Sequence, residues 1–103
     1  MNQRGAIGML ALATALPVWP QDAQALYTQG LAATCAGCHG TGGKALAGSS
    51  IVSLAGMPGE QLAAAMRAFK AGTRPATVMQ QIAKGYSDAQ IDQLAGWFAA
   101  QKK

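Results

Sequence analysis

The sequence predicts an all-α domain. Apolar residues recur at helical spacing, no stretch alternates as a half-buried strand would, and the glycines gather in one loop-forming run. The chain has 103 residues, the length of a single domain.

The N-terminal segment stands apart. Met1–Arg4 carries a positive charge, Gly5–Trp19 is almost wholly apolar, and Ala23-Gln24-Ala25 is a small-x-small site. This order describes a secretory signal peptide cleaved after Ala25, which divides the chain into a leader, residues 1–25, and a folded domain, residues 26–103. The apolar run covers about 15 residues where a bilayer span needs ~20, and Pro17 and Pro20 interrupt it, so the mature chain is not expected to insert stably in a membrane. An uncleaved N-terminal anchor is the alternative. Export from the cytosol, to a periplasm, follows from both.

Ala25–Ala36 reads as a first helix of weak amphipathicity. Gly37–Gly56, with six glycines, reads as a loop. Pro58 suits the first turn of a second helix, Leu62, Ala65, Met66 and Phe69 give it one apolar face, and Gly72 ends it. Pro75 and Gly85 bound a short helix over Ala76–Lys84. The last helix has the clearest start: Ser87 and Gln90 fit a capping box, with Tyr86 and Ile91 placed for the accompanying staple. Ile91, Leu94, Ala95 and Phe98 form its apolar face, and Lys102 and Lys103 suit the negative end of its dipole.

A domain this small seldom stabilises itself by an apolar core alone. Its aromatics after residue 25 are Tyr27, Phe69, Tyr86, Trp97 and Phe98, and alanine and glycine abound. Something other than side chains should fill its middle. The formal charge is +4, but the basic residues are scattered and form no nucleic-acid motif, so nucleic acid is not the expected partner. A mildly basic face suits an acidic protein.

Both cysteines and the only histidine of the chain fall within Thr34-Cys35-Ala36-Gly37-Cys38-His39-Gly40. A zinc site needs four ligands, mostly Cys and His, and only three such residues exist. A thioredoxin-like dithiol needs a neighbouring strand–helix–strand pattern, which is absent. A Cys35–Cys38 disulfide would close a tiny loop and leave His39 unexplained. The remaining reading is C-x-x-C-H as a c-type haem attachment. Two cysteines one helical turn apart reach two vinyl groups of a porphyrin, and the next residue turns its imidazole to the iron. Gly40-Thr41-Gly42-Gly43-Lys44 lacks the spacing of a phosphate loop and no strand precedes it. These glycines are expected to let the backbone pass close to the haem edge.

Iron held by one histidine needs a second ligand to carry electrons rather than bind gases. The candidates after residue 25 are Met57, Met66 and Met79. Met66 lies on the apolar face of its helix and reads as core. Met57 precedes a proline but follows His39 by little more than the glycine loop. A loop, a full helix and a turn separate Met79 from His39, enough chain to reach the opposite face of a porphyrin, so the reading favours Met79. A peroxidase would need acid–base residues on an open distal side, and no second histidine is available.

With these residues in place, the chain resembles the class I c-type cytochromes. The resemblance rests on CxxCHG after the first helix and on Met79-Gln80-Gln81-Ile82-Ala83-Lys84-Gly85-Tyr86-Ser87-Asp88 before the last. It implies about four short helices wrapped around one covalently attached haem c, held through Cys35 and Cys38, with His39 and Met79 as axial iron ligands. It also implies that Gly30 of the first helix packs against Trp97 of the last, and that a carbonyl near Val52, where related cytochromes have proline, accepts a hydrogen bond from the proximal imidazole. IAKGYSD followed by LAGWFA is similar to the cytochrome subunit of flavocytochrome c sulfide dehydrogenases. The implied role is an electron-transfer protein, not an enzyme by itself, that accepts electrons from a flavoprotein sulfide dehydrogenase subunit. The alternative is a free-standing soluble shuttle for another oxidoreductase or a terminal oxidase. Lys44, Arg67, Lys70, Arg74 and Lys84 are candidates to border the haem edge or meet its propionates.

Overall fold

The computed structural model describes residue 8, residues 11–16 and residues 22–103. The expected leader therefore lies mostly outside the described residues. Among the described residues there is no strand, and five helices follow in order: α1 (Ala23–Ala33), α2 (Ala36–His39), α3 (Gly59–Ala71), α4 (Met79–Ala83) and α5 (Asp88–Ala99). A 3-10 turn at Thr41–Gly43 follows α2. The all-α expectation holds, with the first expected helix divided at Thr34 and the loop reading of residues 37–43 replaced by helical turns. Among the described residues no helix is long and apolar enough to cross a membrane.

The helix ends follow from local chemistry. Asp22 caps α1, its Oδ1 accepting from Gln24 N at 3.0 Å. Gly72 ends α3 in the left-handed region at φ 77°, its N–H returning to Ala68 and Phe69 carbonyls, as a C-terminal glycine does. At α5 the full capping box forms: Gln90 N donates to Ser87 Oγ at 3.2 Å, and Ser87 N donates to Gln90 Oε1 at 2.9 Å. The same Gln90 donates through Nε2 to Tyr27 Oη at 2.7 Å, so the cap of α5 is tied to α1. Lys102 and Lys103 stand beyond the last turn of α5, which contains no basic residue, so the expected dipole pairing is not what they provide.

α5 packs across both α1 and α3, and α4 rests on α3. Ile91, Leu94, Ala95 and Phe98 of α5 are buried with Leu62, Ala63 and Met66 of α3, Ala32 of α1 and Ala83 of α4. Trp97 stands edge-on to Phe98, with ring centroids 5.0 Å apart. Gly30 is exposed, and a Cβ there would meet no atom within 4 Å. The expected packing of Gly30 against Trp97, in which the glycine makes room for the ring, is therefore not found. The residue of α1 that is buried is Ala32. This core is thin: its fully buried large side chains are Phe98, Ile91 and Leu94.

Candidate cofactor site

A cavity of about 650 Å³ opens beside that core, within the roughly 300–1,000 Å³ typical of sites that enclose a cofactor-sized ligand. Cys35, Cys38, His39 and Met79 all line it, as do Met57 and Met66. Its walls are mainly apolar, with Leu54, Leu62, Leu94 and Phe98 among them. Four large apolar side chains that are unusually exposed, Ile51, Val52, Val78 and Ile82, also line it. Apolar surface gathered around one cavity, in a domain with so small a core, suits a large apolar ligand.

Cys35 precedes α2 and Cys38 and His39 end it, a single turn closed by His39 N donating to Cys35 O at 2.9 Å. That turn carries the two thiols and the imidazole into one wall. It stops at Gly40, whose φ is 87° and whose site has no room for a Cβ beside the Lys44 carbonyl. Both cysteines are free thiols. Burial pushes the Cys35 thiol above its usual pKa, and a side-chain hydrogen bond with Thr34 partly offsets the shift, so at neutral pH it stays protonated.

The imidazole is oriented from behind. His39 Nδ1 lies 2.7 Å from Val52 O. A carbonyl only accepts, so Nδ1 carries the proton and Nε2 keeps its lone pair for a metal. Valine supplies the carbonyl expected at this position. The loop that holds Val52 is fixed at its base, where Leu54 N and Ala55 N donate to Gly43 O at 2.7 and 3.1 Å. Gly43, at φ 78°, is itself wedged against Phe98, where a Cβ would come within 2.6 Å of the ring. Gly43 was expected to admit a porphyrin edge. What it admits is the α5 aromatic.

Of the five cations expected near the cofactor, one lines the cavity. Arg67 instead binds Asp92 at 2.6 Å and approaches Asp88 at 3.9 Å, joining α3 to α5. Lys70 donates to Tyr86 O at 2.7 Å and pairs with Asp88 at 3.7 Å. Lys44 reaches the Lys103 carbonyl at 3.4 Å, and Lys84 is exposed and is not among the lining residues. Arg74 remains at the wall. Sequence reasoning could not sort these five, because their partners lie far away in the chain. It also missed Tyr86, which lines the cavity and donates to Thr34 Oγ1 at 2.8 Å, Thr34 in turn donating to Leu31 O.

Residues 20–98 match the family described as cytochrome C oxidase, cbb3-type, subunit III. The chain belongs to the cytochrome c family. Its members are electron carriers, and membership implies haem c. Over 68 residues the chain is 43% identical to the cytochrome subunit of sulfide dehydrogenase from Chlorobaculum tepidum, covering 66% of this chain and 60% of that protein. Over 97 residues it is 32% identical to the thiosulfate dehydrogenase electron acceptor of Stutzerimonas stutzeri, covering 90% of this chain and 45% of that protein. Cytochrome c-554(548) of Halomonas halodenitrificans is 33% identical over 72 residues, covering 67% of this chain and 86% of that protein. The chain thus spans about half the length of the first two relatives.

The cytochrome site fits a haem on its own geometry: paired thiols and an imidazole on one turn, thioether sulfurs within the same cavity, apolar walls and one wall cation.

Proposed function

We propose that this cytochrome carries single electrons on one covalently attached haem c, with His39 and Met79 as axial ligands, and that it accepts them from a flavoprotein sulfide dehydrogenase subunit in a periplasm. The observation that supports the haem reading most is the convergence of Cys35, Cys38, His39 and Met79 on one apolar cavity. When bound, haem supplies a one-electron couple at its iron.

The residues have distinct tasks. Cys35 and Cys38 would hold the porphyrin as thioethers, each thiol adding its S–H across a vinyl C=C so that no oxidant would be consumed. His39 offers Nε2 in the tautomer fixed by Val52. Met79 opens α4 and is half-buried, whereas Met66 is buried in the helical core and fits the filler role better. Leu62, Leu94 and Phe98 line the cavity and would keep water from a bound haem, which with thioether ligation would raise its potential.

The partner reading rests on the Met79–Ser87 and Leu94–Ala99 segments and on the relative from Chlorobaculum tepidum. Charge supports an acidic partner. Asp88 and Asp92 are paired with Arg67 and Lys70 on α3 and α5, which leaves Lys44, Arg74, Lys84, Lys102 and Lys103 outside the ion pairs. Such charge acts more on association rate than on affinity. A second reading, a shuttle for thiosulfate oxidation or another oxidoreductase, is favoured by the Stutzerimonas stutzeri relative. Mixing the haem-loaded chain with the flavoprotein and sulfide, at several salt concentrations, tests the first. Haem reduction faster than sulfide alone achieves, slowing with salt, is expected. Reduction no faster than sulfide alone rejects this partner.

Removal of a leader after Ala25 stays part of the proposal. It would take away Asp22 and the first turn of α1, so the mature helix would start uncapped at Leu26. N-terminal sequencing of the exported protein decides it.

A further inference from the structure

Tyr86 stands between α4 and α5, and the protein holds its ring from several sides. It packs against the buried core. Its backbone N–H donates to Ala83 O at 3.2 Å, and its carbonyl accepts from Lys70 Nζ at 2.7 Å. From that seat the side chain lines the cavity, and its hydroxyl lies 2.8 Å from Thr34 Oγ1. Thr34 has one hydroxyl proton, which goes to Leu31 O at 2.7 Å. The phenol therefore donates and Thr34 accepts.

Thr34 also lines the cavity and immediately precedes Cys35. The contact thus joins two sides of the wall that are supported separately. The turn holding Cys35, Cys38 and His39 packs on the 3-10 turn after it, whereas α4, which opens with Met79, packs on α3. Among the described residues, Tyr86–Thr34 is the one side-chain hydrogen bond between these two sides of the lining. Elsewhere the wall is mainly apolar and closes by packing. Here it closes through one polar contact on an exposed threonine. Such a bond contributes only about 0.5–1.5 kcal/mol net, and a wall opens first where its closure is weakest.

We propose that the Tyr86–Thr34 bond is a clasp on the cavity rim, and that the form of the protein which admits small solvent ligands to the iron is the one with this clasp open. The inference rests on the haem and Met79 reading of the preceding subsection. Tyr86 is then a positioning residue: it holds the rim closed and touches the iron through no atom of its own.

The test is imidazole binding to the oxidised, haem-loaded full chain. If imidazole binds the open form, breaking the clasp is part of the free energy of binding, and a variant without the clasp binds more tightly. Tyr86→Phe keeps the ring and removes the donor, and its imidazole affinity should rise about two- to tenfold, the effect of one net hydrogen bond. Thr34→Val, which removes the acceptor, should do the same. The double variant should rise no further than the larger single one, because both changes remove one bond. A matched control exists in Tyr27, whose hydroxyl accepts from Gln90 Nε2 at 2.7 Å, also joining α1 to the start of α5, but which does not line the cavity. Tyr27→Phe should leave imidazole affinity unchanged. Unchanged affinity in Tyr86→Phe overturns the proposal. So does an equal rise in Tyr27→Phe, which would mark a loss of general stability, and so do additive effects in the double variant. A wild-type chain that holds no haem, or whose iron lacks a methionine ligand, would instead overturn the reading of the preceding subsection.

Discussion

His39 donates through Nδ1 to the backbone carbonyl of Val52 at 2.7 Å, across the loop whose base is closed on Gly43. The acceptor is a main-chain oxygen, so the side chain at position 52 is free to vary while the imidazole keeps its tautomer and orientation. Val52 donates no backbone hydrogen bond of its own. Val52→Pro therefore keeps the acceptor and removes no donor in use. The oxidised spectrum and reduction potential of Val52→Pro are expected to match wild type, and a shifted potential would show that the loop had moved the carbonyl.

The distal ligand is tested by comparing two methionines that line the same cavity. Met79→Ala should abolish the weak Met–Fe absorption of the oxidised protein at ~695 nm and open the iron to carbon monoxide. Met57→Ala should leave that band in place. The reverse pattern would assign Met57.

Two glycine substitutions should have opposite signs. At Gly30 a Cβ meets open space within a regular helix, so Gly30→Ala should stabilise the holoprotein by roughly 0.5–1 kcal/mol. At Gly43 it would strike the Phe98 ring at 2.6 Å and Leu54 at 3.0 Å, at positive φ. Gly43→Ala should cost about 1–3 kcal/mol through overpacking. It should also loosen the loop behind His39. Denaturant unfolding of the two holoproteins gives both signs.

On α5, the cap should outweigh the ion pair. Ser87→Ala removes one half of a complete capping box and should cost about 1 kcal/mol. The Arg67–Asp92 pair is short, but both side chains are largely solvated, 43% and 63% exposed, so Asp92→Asn should cost no more than ~0.5 kcal/mol. A melting temperature lowered more by Asp92→Asn than by Ser87→Ala would reverse this ranking.

What the sequence disclosed is what local chemistry determines. The Ser87–Gln90 box and the Gly72 stop depend on residues a few positions apart, and each forms as read. Pairings set by tertiary approach were hidden. Arg67 looks like any surface cation until α3 lies beside α5 and brings Asp92 to it. Gly43 reads as a loop glycine until Phe98 arrives from the other end of the chain. Arg74 was one of five equivalent cations, and the turn between α3 and α4 distinguishes it by setting it on Phe69 at the cavity wall. The composition nevertheless gave a correct warning. A chain with so few aromatics leaves a hollow between α2, α3 and α4, and its apolar side chains Val78 and Ile82 stay half open around it.

The most direct measurement of the central claim is the intact mass of the protein matured in a periplasm, taken under denaturing conditions after exposure to a thiol alkylating agent. Attachment through Cys35 and Cys38 predicts the polypeptide plus one haem, with neither thiol alkylated. A bare polypeptide carrying two alkyl groups, with its haem extracted into solvent, would contradict it.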